Sequence, residues 1–355
     1  MIEQLLKTPL TELTGVRHPV VQTGMGWVAG PSLVSGTANA GGLGILASAT
    51  MTIQELEQAI VEVKGRTDRP FGVNLRADAT DAPARCDLLI RHGVKVASFA
   101  LAPKPELIAK LKEHDIVVIP SIGAPKHAKK VASWGADAVM IQGGEGGGHT
   151  GNVPTTLLLP SVLDAVDIPV VAAGGFFDGR GLAAALSYGA AGVGMGTRFL
   201  LTQDSRVPEA VKQRYLEADL NGTVVTAKVD GMPHRMLRTP LVESVEETSA
   251  VRRLGPTMRR TLEFRRQAQM SWIDLLRDGR EMRKSQGRSL AQMALAANTP
   301  MMLKAGLVEG DPTVGVLASG QVVGVIDDLP TCEQLIDRVV TRAAEELRRT
   351  QGYLA

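Results

Sequence analysis

From His18 to Leu201 the sequence repeats one pattern: a short apolar run, a Gly-rich or polar break, and an amphipathic stretch. This alternation is typical of consecutive β-α units. The apolar runs are rich in Val, Ile and Ala and do not alternate with polar residues, as expected for parallel strands buried on both faces. Eight strands are predicted, at residues 19–23, 43–47, 71–75, 94–99, 116–121, 136–142, 169–173 and 191–196.

The helices between these strands are predicted to end at similar points. Gly93, Gly135 and Gly189 each stand just before an apolar run, where glycine can close a helix in the left-handed conformation. Eight consecutive units of this kind predict a closed (β/α)8 TIM barrel. A doubly wound open sheet, which also repeats β-α units, is the structural alternative.

Beyond Thr202 the pattern changes, so we predict a TIM barrel over residues 1–205 and a mostly helical extension packed on it over residues 206–355. Within the extension, residues 206–222 are predicted to be helical, 223–245 irregular, and 246–297 helical and rich in arginine. The Gly-rich apolar residues 316–326 are expected to complete it. A final amphipathic helix is predicted over 332–350, with an apolar face made of Leu335, Ile336, Val339, Val340 and Ala343.

Composition narrows the range of partners. Lys and Arg total 39 and Asp and Glu total 37, so no strong field draws the molecule to nucleic acid or an anionic membrane, and a small-molecule substrate is expected. Cys86 and Cys332 lack the spacing of a zinc knuckle or redox dithiol, and no metal is predicted. No apolar run resembles a secretory signal or a membrane span, so a cytoplasmic location is expected. Whether the chain forms a homo-oligomer is left open.

The carboxyl ends of the predicted strands carry an unusual set of residues. A TIM barrel places its active site there, because the loops after all its strands meet on one rim. Glycine at such positions lets main-chain N–H groups approach a ligand, since no Cβ intervenes. The segments concerned are Gln22-Thr23-Gly24-Met25-Gly26, Asn74, residues 142–151, Gly174-Gly175 and Gly194-Met195-Gly196-Thr197.

Two of these segments predict a phosphate site. TIM barrels often hold a phosphate between the loops after the last two strands, at the N-terminus of a short helix. Gly174-Gly175 and Gly196-Thr197 occupy these positions, and Thr197 can begin the helix. Each glycine taken singly is equally well explained by a tight turn, but the set favours ligand binding.

Asn74 and Gln142 add amide groups to the same rim. Fixed amides can bind the edge of a flat heterocycle such as a flavin pyrimidine ring, although a single amide at a strand end is more often structural. Two amides beside a phosphate site favour a phosphorylated heterocyclic cofactor. A nicotinamide cofactor would need a Gly-x-Gly-x-x-Gly turn with an acidic residue ending the second strand, and that residue is missing.

His149 is the candidate catalytic residue among the six histidines. Four glycines flank it in a long loop, so its side chain can project toward a ligand, and imidazole titrates in the range that suits a general base. We predict that His18, His92 and His114 are solvated or cap helices and that His127 is structural. The sequence does not place His234.

These segments, with the tail segment Ala318-Ser319-Gly320-Gln321, resemble the nitronate monooxygenase family, formerly called 2-nitropropane dioxygenases. The resemblance spans most of the chain. It implies that FMN lies over the barrel mouth with its phosphate between the last two strands, and that His149 abstracts a proton from the substrate. The FMN contacts predicted from the segments and the resemblance together are Gln22, Gly24, Met25, Gly26, Asn74, Gln142, Gly147, Gly174, Gly175, Gly196 and Thr197.

Within the family, residues 19–27, 97–104 and 174–181 resemble actinobacterial members that act in steroid catabolism, such as cholesterol degradation. This resemblance implies dehydrogenation of a ring hydroxyl on a bicyclic CoA thioester, with His149 as the base and hydride transfer to flavin N5. NAD, oxygen or another carrier would reoxidise the flavin. The CoA phosphates could be bound by charge-assisted hydrogen bonds from an Arg-rich stretch, although a solvated face is the commoner role for any one of its residues. These are Arg252, Arg253, Arg259, Arg260, Arg265 and Arg266.

Three alternative functions stay open. The first is a nitronate monooxygenase that oxidises alkyl nitronates with oxygen. The second is a barrel lyase or aldolase without flavin, which would need a Schiff-base lysine inside the rim, where neither Lys95 nor Lys126 is well placed. The third is a flavin-binding barrel with a regulatory role, and the presence of His149 argues against it.

Overall fold

The computed structural model describes residues 6–247, 290–311 and 313–354 of the 355-residue chain. Eight parallel strands close into a barrel in the order β1-β2-β3-β4-β5-β6-β8-β9. The predicted TIM barrel is confirmed, and the open-sheet alternative is wrong. The strands are β1 Val20–Gln22, β2 Leu43–Ala47, β3 Gly72–Arg76, β4 Val96–Ala100, β5 Val117–Ile122, β6 Val139–Gln142, β7 Gly148–His149 outside the barrel, β8 Val170–Ala173 and β9 Gly192–Met195.

The helices that surround the barrel begin and end at recognisable signals. Several have proline in the first turn, where its missing N–H costs nothing. Gly93, Gly135 and Gly189 all have positive φ, as predicted from their places before strands. The helices are α1 Pro9–Thr14, α2 Pro31–Asn39, α3 Ile53–Arg66, α4 Ala82–Arg91, α5 Pro105–Lys112, α6 Pro125–Ser133, α7 Thr155–Leu163, α8 Gly179–Tyr188 and α9 Thr197–Leu200.

Helix α1 covers the N-terminal end of the barrel. Leu10 is fully buried in the same apolar cluster as the strand residues Val21 and Ile45. The Thr8 hydroxyl donates to the carbonyl oxygen of Ala191, just before β9, at 2.7 Å. Because this end is closed, the open end is the rim formed by the carboxyl ends of the strands.

The chain beyond the barrel contains helices and a small sheet. Its elements are α10 Glu209–Leu216, β10 Thr223–Thr226, β11 His234–Leu237, α11 Pro240–Glu247, α12 Leu290–Leu307, a 3₁₀ helix at Gln321–Val325, and α13 Cys332–Gln351. The prediction that residues 223–245 are irregular is wrong, because β10 and β11 pair with β7 in a sheet of order β10-β11-β7. Strands as short as β10 and β11 have too few residues to be predicted from sequence alone. They are recognised in the structure because β11 pairs with β7, which lies in the loop after β6. Residues 248–289 of the predicted Arg-rich helical segment lie outside the described residues.

The C-terminal helix α13 is confirmed, with its predicted apolar face buried. It lies close to α8, since a Cβ on Gly179 would stand 2.4 Å from the carbonyl oxygen of Val339. On the rim, the Trp27 indole N–H donates to the Pro300 carbonyl oxygen of α12 at 3.0 Å. The extension therefore contacts both the side and the rim of the barrel, and the boundary at residue 205 stays a prediction.

Within the described parts of the chain, none of the helices combines the length and the apolar character needed to cross a lipid bilayer.

Candidate active site

The loop after β6, residues 143–151, is held down on the rim by side-chain hydrogen bonds. We call it the glycine loop. The Gln142 amide nitrogen donates to the carbonyl oxygens of Gly147 at 3.1 Å and His149 at 2.9 Å. The Glu145 carboxylate accepts from the backbone N–H of Thr155 at 3.0 Å and from its hydroxyl at 2.8 Å. The loop is therefore ordered in spite of its glycines.

The tail segment, residues 318–321, packs directly on this loop. The Gln321 backbone N–H donates to the Glu145 carbonyl oxygen at 2.9 Å, and the Gly320 N–H donates to the Thr197 hydroxyl at 2.8 Å. A Cβ on Gly147 would lie 2.5 Å from the backbone of Ser319 and Gly320. This contact explains why residue 147 must be glycine and why the tail segment belongs to the site.

Strand β7 places His149 at the edge of the site. It pairs antiparallel with β11, with His149 opposite His234 and Gly148 opposite Arg235. The Thr150 backbone N–H extends the pairing to the Pro233 carbonyl oxygen at 3.1 Å. The predicted candidate base therefore lies on a short strand and not in an unsupported loop.

His149, Asp230 and His234 form a hydrogen-bonded cluster. Asp230 Oδ2 lies 2.6 Å from His149 Nε2 and 3.0 Å from His234 Nδ1. The Asp230 and His234 side chains are each 2% exposed, whereas the His149 side chain is 53% exposed. The buried Asp230 carboxylate therefore contacts both imidazoles, and of the two only that of His149 is exposed.

The charge state of Asp230 follows from these contacts. Burial by itself raises the pKa of the Asp230 carboxyl, but the hydrogen bonds from His149 and His234 outweigh it and hold that pKa well below its usual range. The backbone N–H of Met232 adds a third hydrogen bond, to Oδ1 at 3.0 Å. Asp230 is therefore a carboxylate at neutral pH.

Two of the predicted amide contacts lie on barrel strands β1 and β3, which are separated by β2. Gln22 is fully buried at the end of β1, and its amide nitrogen donates to the carbonyl oxygens of Thr23 at 2.5 Å and Ile45 at 3.2 Å. Its Oε1 has no hydrogen-bond partner among the described residues. Asn74 donates to the Ser98 hydroxyl at 3.2 Å.

The rim glycines divide into two groups. An added Cβ would lie 2.5 Å from Asn74 Cβ at Gly24 and 3.0 Å from the Gly143 nitrogen at Gly174, so chain packing alone requires these glycines. At Gly26, Gly175 and Gly196 the nearest contacts are 3.3 Å or more. Met25 is the neighbour of Gly196, with its sulfur 3.4 Å from the added Cβ. At these three glycines the packing of the chain gives no separate reason for glycine, so they fit the predicted ligand-binding role best.

Three of the histidines predicted to have structural or surface roles can be compared with their places in the structure. His18 is only 9% exposed, so the prediction that it is solvated or caps a helix is wrong. Burial, assisted by Arg17, lowers the pKa of His18 from 6.5 to about 4. His92 is the C-cap of α4, as predicted, with its backbone N–H donating to the Leu88 carbonyl oxygen at 3.1 Å, and its ring contacts Glu57 at 3.0 Å. His127 lies exposed in the first turn of α6.

Both cysteines are buried free thiols. Burial raises the pKa of Cys86 to about 11 and that of Cys332 to about 12. Since the thiolate is the reactive form, neither residue is a nucleophile near neutral pH.

Sequence reasoning missed Asp230 altogether and left His234 unplaced. The only local signal is the Asp230-Gly231 pair, which is typical of a turn and does not point to chemistry. Their role depends on the pairing of β11 with β7. The arginines predicted to bind CoA phosphates lie outside the described residues.

A parallel TIM barrel with a glycine-lined rim and a carboxylate-paired histidine defines the protein as a barrel enzyme. The chain matches the family model described as nitronate monooxygenase over residues 7–88 and 82–342. It belongs to the nitronate monooxygenase family and is thus a flavin-dependent oxidoreductase.

Two relatives are similar over nearly their whole length, and both are named (3aS,4S,5R,7aS)-5-hydroxy-7a-methyl-1-oxo-octahydro-1H-indene-4-carboxyl-CoA dehydrogenase. The one from Rhodococcus jostii RHA1 is 69% identical over 96% of this chain and 97% of its own. The one from Mycobacterium tuberculosis H37Rv is 67% identical over 98% and 99%. A probable nitronate monooxygenase of Staphylococcus saprophyticus is 33% identical over 68% of this chain and 81% of its own.

Solved structures share the fold. FabK from Thermotoga maritima superposes with a TM-score of 0.82 at 33% identity, covering 98% of this chain and 99% of its own. A nitroalkane oxidase from Streptomyces ansochromogenes gives a TM-score of 0.76 at 28% identity, and the match covers 97% of this chain and 100% of the oxidase chain.

Proposed function

We propose that this protein is an FMN-dependent dehydrogenase that oxidises a ring hydroxyl of a bicyclic CoA thioester derived from the C and D rings of a steroid. The observation that carries the proposal is the identity of 69% and 67%, over nearly the whole chain, to two proteins named for that dehydrogenation. An outward-facing histidine on the barrel rim supports it, since removing hydrogen from an alcohol requires a base.

The rim residues fit a flavin. Gln22 Oε1 is a buried acceptor with no partner among the described residues, and a flavin ring N–H is a suitable donor for it. The Gln142 amide nitrogen donates its hydrogens to carbonyl oxygens of the glycine loop. Its side-chain carbonyl oxygen is therefore the group that can bind a ligand. Both amides would therefore act as acceptors.

The last two barrel loops fit a phosphate. Gly174 and Gly175 have φ of +107° and +82°, which glycine adopts without steric cost. Because Ala173 pairs with Gly194, their backbone lies beside that of Gly196 and Thr197. The proposed FMN contacts are the set predicted from the sequence: Gln22, Gly24, Met25, Gly26, Asn74, Gln142, Gly147, Gly174, Gly175, Gly196 and Thr197.

The proposed division of labour is simple. FMN, when bound, supplies the hydride acceptor. His149 accepts the proton of the substrate hydroxyl, and its 53% exposed side chain is accessible for this. Gln142 and Glu145 keep the glycine loop, and so the backbone of His149, in place. The Asp230 carboxylate favours the positive charge that the imidazole gains.

Oxidation of alkyl nitronates is the second candidate. It is favoured by the family description and by the similarity to a nitroalkane oxidase at 28% identity. The same histidine would then remove a proton from an acidic carbon, and oxygen would be consumed.

Anaerobic reduction of the FMN-loaded protein separates the two functions. We expect hydroxyacyl-CoA thioesters of the bicyclic class to bleach the flavin absorbance, and alkyl nitronates to do so poorly. Efficient bleaching by nitronates alone would overturn the proposal in favour of the second candidate. A purified protein that shows no flavin absorbance even after addition of FMN would point to a flavin-free lyase. Adding NAD or oxygen to the reduced protein then identifies the electron acceptor.

A further inference from the structure

We propose that Asp230 and His234 are positioning residues that fix His149 in one tautomer, so that the proton-accepting atom is Nδ1. This inference deepens the proposed function and rests on it for the identity of the reaction.

The tautomer follows from what a carboxylate can do. An ionised carboxylate only accepts hydrogen bonds, so each nitrogen that faces Asp230 Oδ2 must carry a hydrogen. These nitrogens are His149 Nε2 at 2.6 Å and His234 Nδ1 at 3.0 Å. In a neutral His149 the free lone pair is therefore on Nδ1. In the proposed oxidation the substrate O–H and carbinol C–H bonds break, a C=O bond and an Nδ1–H bond form, and FMN, when bound, would accept the hydride.

Three donors fix the orientation of Asp230. Met232 N–H holds Oδ1 at 3.0 Å, while the two imidazoles hold Oδ2. With 2% exposure, the carboxylate has no access to bulk water that would replace a lost donor. His234 thus acts on His149 through Asp230, by keeping the carboxylate turned toward it.

The strand pairing adds a second constraint. His149 and His234 are directly opposite on β7 and β11, and their ring centroids lie 4.7 Å apart. His234 Nε2 is buried without a partner among the described residues, so this ring contributes one hydrogen bond, the one to Asp230. Next to His234 on β11 is Arg235, which interacts electrostatically with Glu145 of the glycine loop.

A metal ion is the competing occupant of the cluster. The three side chains offer ligand atoms that all lie within 4.8 Å of one another. The 2.6 Å between His149 Nε2 and Asp230 Oδ2 is a hydrogen-bond distance, whereas two ligands about 2.0–2.2 Å from one tetrahedral zinc stand farther apart. The distance therefore favours a hydrogen bond between His149 and Asp230 over joint coordination of a metal ion.

The first test needs no substrate. In FMN-loaded protein labelled with ¹⁵N-histidine, long-range ¹H–¹⁵N spectra report which imidazole nitrogen is protonated. We expect neutral His149 to carry its hydrogen on Nε2 in the native protein and to lose this preference in Asp230→Asn. A native His149 with its hydrogen on Nδ1 would overturn the proposal. Added Zn²⁺ that shifts both imidazoles at stoichiometric concentration would overturn it in favour of a metal site.

The second test is the pH dependence of anaerobic flavin reduction by the hydroxyacyl-CoA substrate. In Asp230→Asn we expect the rate of flavin reduction to fall by about 10²–10⁴-fold. We also expect the ascending limb of the pH–rate profile to move to lower pH, because the negative charge of Asp230, which favours the protonated imidazole, is removed. Glu57→Gln is the matched control: it neutralises a carboxylate that contacts His92 at 3.0 Å, far from the rim, and should change neither quantity. A purely structural role for Asp230 would lower the rate without moving the limb.

His234 is tested by a pair of variants. His234→Asn keeps a donor near the place of Nδ1, whereas His234→Leu removes it. We expect a loss of about tenfold to hundredfold in His234→Leu, the equivalent of one hydrogen bond to a charged group, and rescue to within about threefold in His234→Asn. Equal losses in the two would show that the hydrogen bond is not the cause. If no thioester or nitronate reduces the flavin, the proposed function fails, and the NMR result still decides the tautomer.

Discussion

His149 and His234 face each other across the antiparallel pair β7–β11, with ring centroids 4.7 Å apart. The first lies in the loop that leaves barrel strand β6, and the second lies in the chain beyond the barrel. The extension thus contributes to the candidate active site, in addition to covering the side of the barrel through α13. Substitutions in either the barrel loop or the extension are therefore expected to affect this contact.

Replacing His149 with alanine should leave FMN bound and slow its reduction. The hydrogen bonds that Gln142 and Glu145 make to hold the glycine loop do not involve the imidazole, so the rim should keep its shape although the contact with Asp230 is lost. Losing a general base costs about 10²–10⁴-fold in rate. Flavin content by absorbance and anaerobic stopped-flow reduction measure the two effects. His114→Ala is the control, because His114 is exposed between α5 and the amino end of β5, away from the rim. An unchanged rate in His149→Ala would remove His149 from the role of base.

Gly147→Ala should destabilise the protein, and Gly151→Ala in the same loop should not. The new Cβ at 147 would stand 2.5 Å from the backbone of Ser319 and Gly320, while at 151 none of the described atoms lies within 4 Å. Overpacking of this kind costs about 1–3 kcal/mol, against about 0.5 kcal/mol or less for an open surface site. Chemical denaturation measures both, and FMN affinity should fall only in Gly147→Ala. Equal stability of the two variants would mean that the tail segment does not pack closely against Gly147 of the glycine loop.

His18 should make the fold sensitive to acid. Its pKa falls from 6.5 to about 4 on folding, mainly through burial, so the folded state disfavours the protonated form. The stabilising contribution is complete above pH 6.5 and is lost as the pH falls from there to about 4, because the unfolded chain binds the proton first. Denaturation midpoints measured across that range should fall less in His18→Gln than in the native protein. The exposed His114→Gln is the control, and parallel pH curves for His18→Gln and the native protein would contradict the prediction.

Arg198→Lys should destabilise the fold, although it keeps the charge. The Arg198 side chain is 4% exposed and binds Asp328 Oδ1 at 2.7 Å, the Asp328 carbonyl oxygen at 2.7 Å and the Leu201 carbonyl oxygen at 2.5 Å. A single ammonium group cannot reproduce this fork, so we expect a loss of about 1–3 kcal/mol in the free energy of unfolding.

Arg206→Lys is the matched control for this prediction. Its ion pair with Glu62 is 61% and 40% exposed, and exposed pairs contribute about 0–1 kcal/mol. Urea unfolding of both variants makes the comparison. A loss in Arg206→Lys as large as that in Arg198→Lys would show that the buried fork is not what matters.

Much of the barrel was predictable because its signals are local. Strands buried on both faces produce continuous apolar runs, and glycines such as Gly135 and Gly189 mark the helix ends. The order of strands around a barrel then follows the order in sequence, so the rim residues could be gathered without coordinates. His149 was singled out in this way, from its glycine neighbours alone.

The glycines show where local signals stop. Sequence reasoning treated the rim glycines as one ligand-binding set, but Gly24 and Gly147 are required by contacts with Asn74 and with the Ser319-Gly320 backbone. Such a contact joins residues that are far apart in the chain. Its closeness depends on tertiary packing, which no residue pattern reports.

The sequence by itself determined the barrel, its rim and the histidine on it, since each of these follows from hydrophobic periodicity and turn chemistry within one β-α unit. Only the tertiary structure decided the partners of that histidine. Asp230 and His234 reach it through β11, a strand of four residues whose pairing partner β7 has two. Strands so short carry too few side chains to show a period, and their register is set by the barrel and the extension folding against each other.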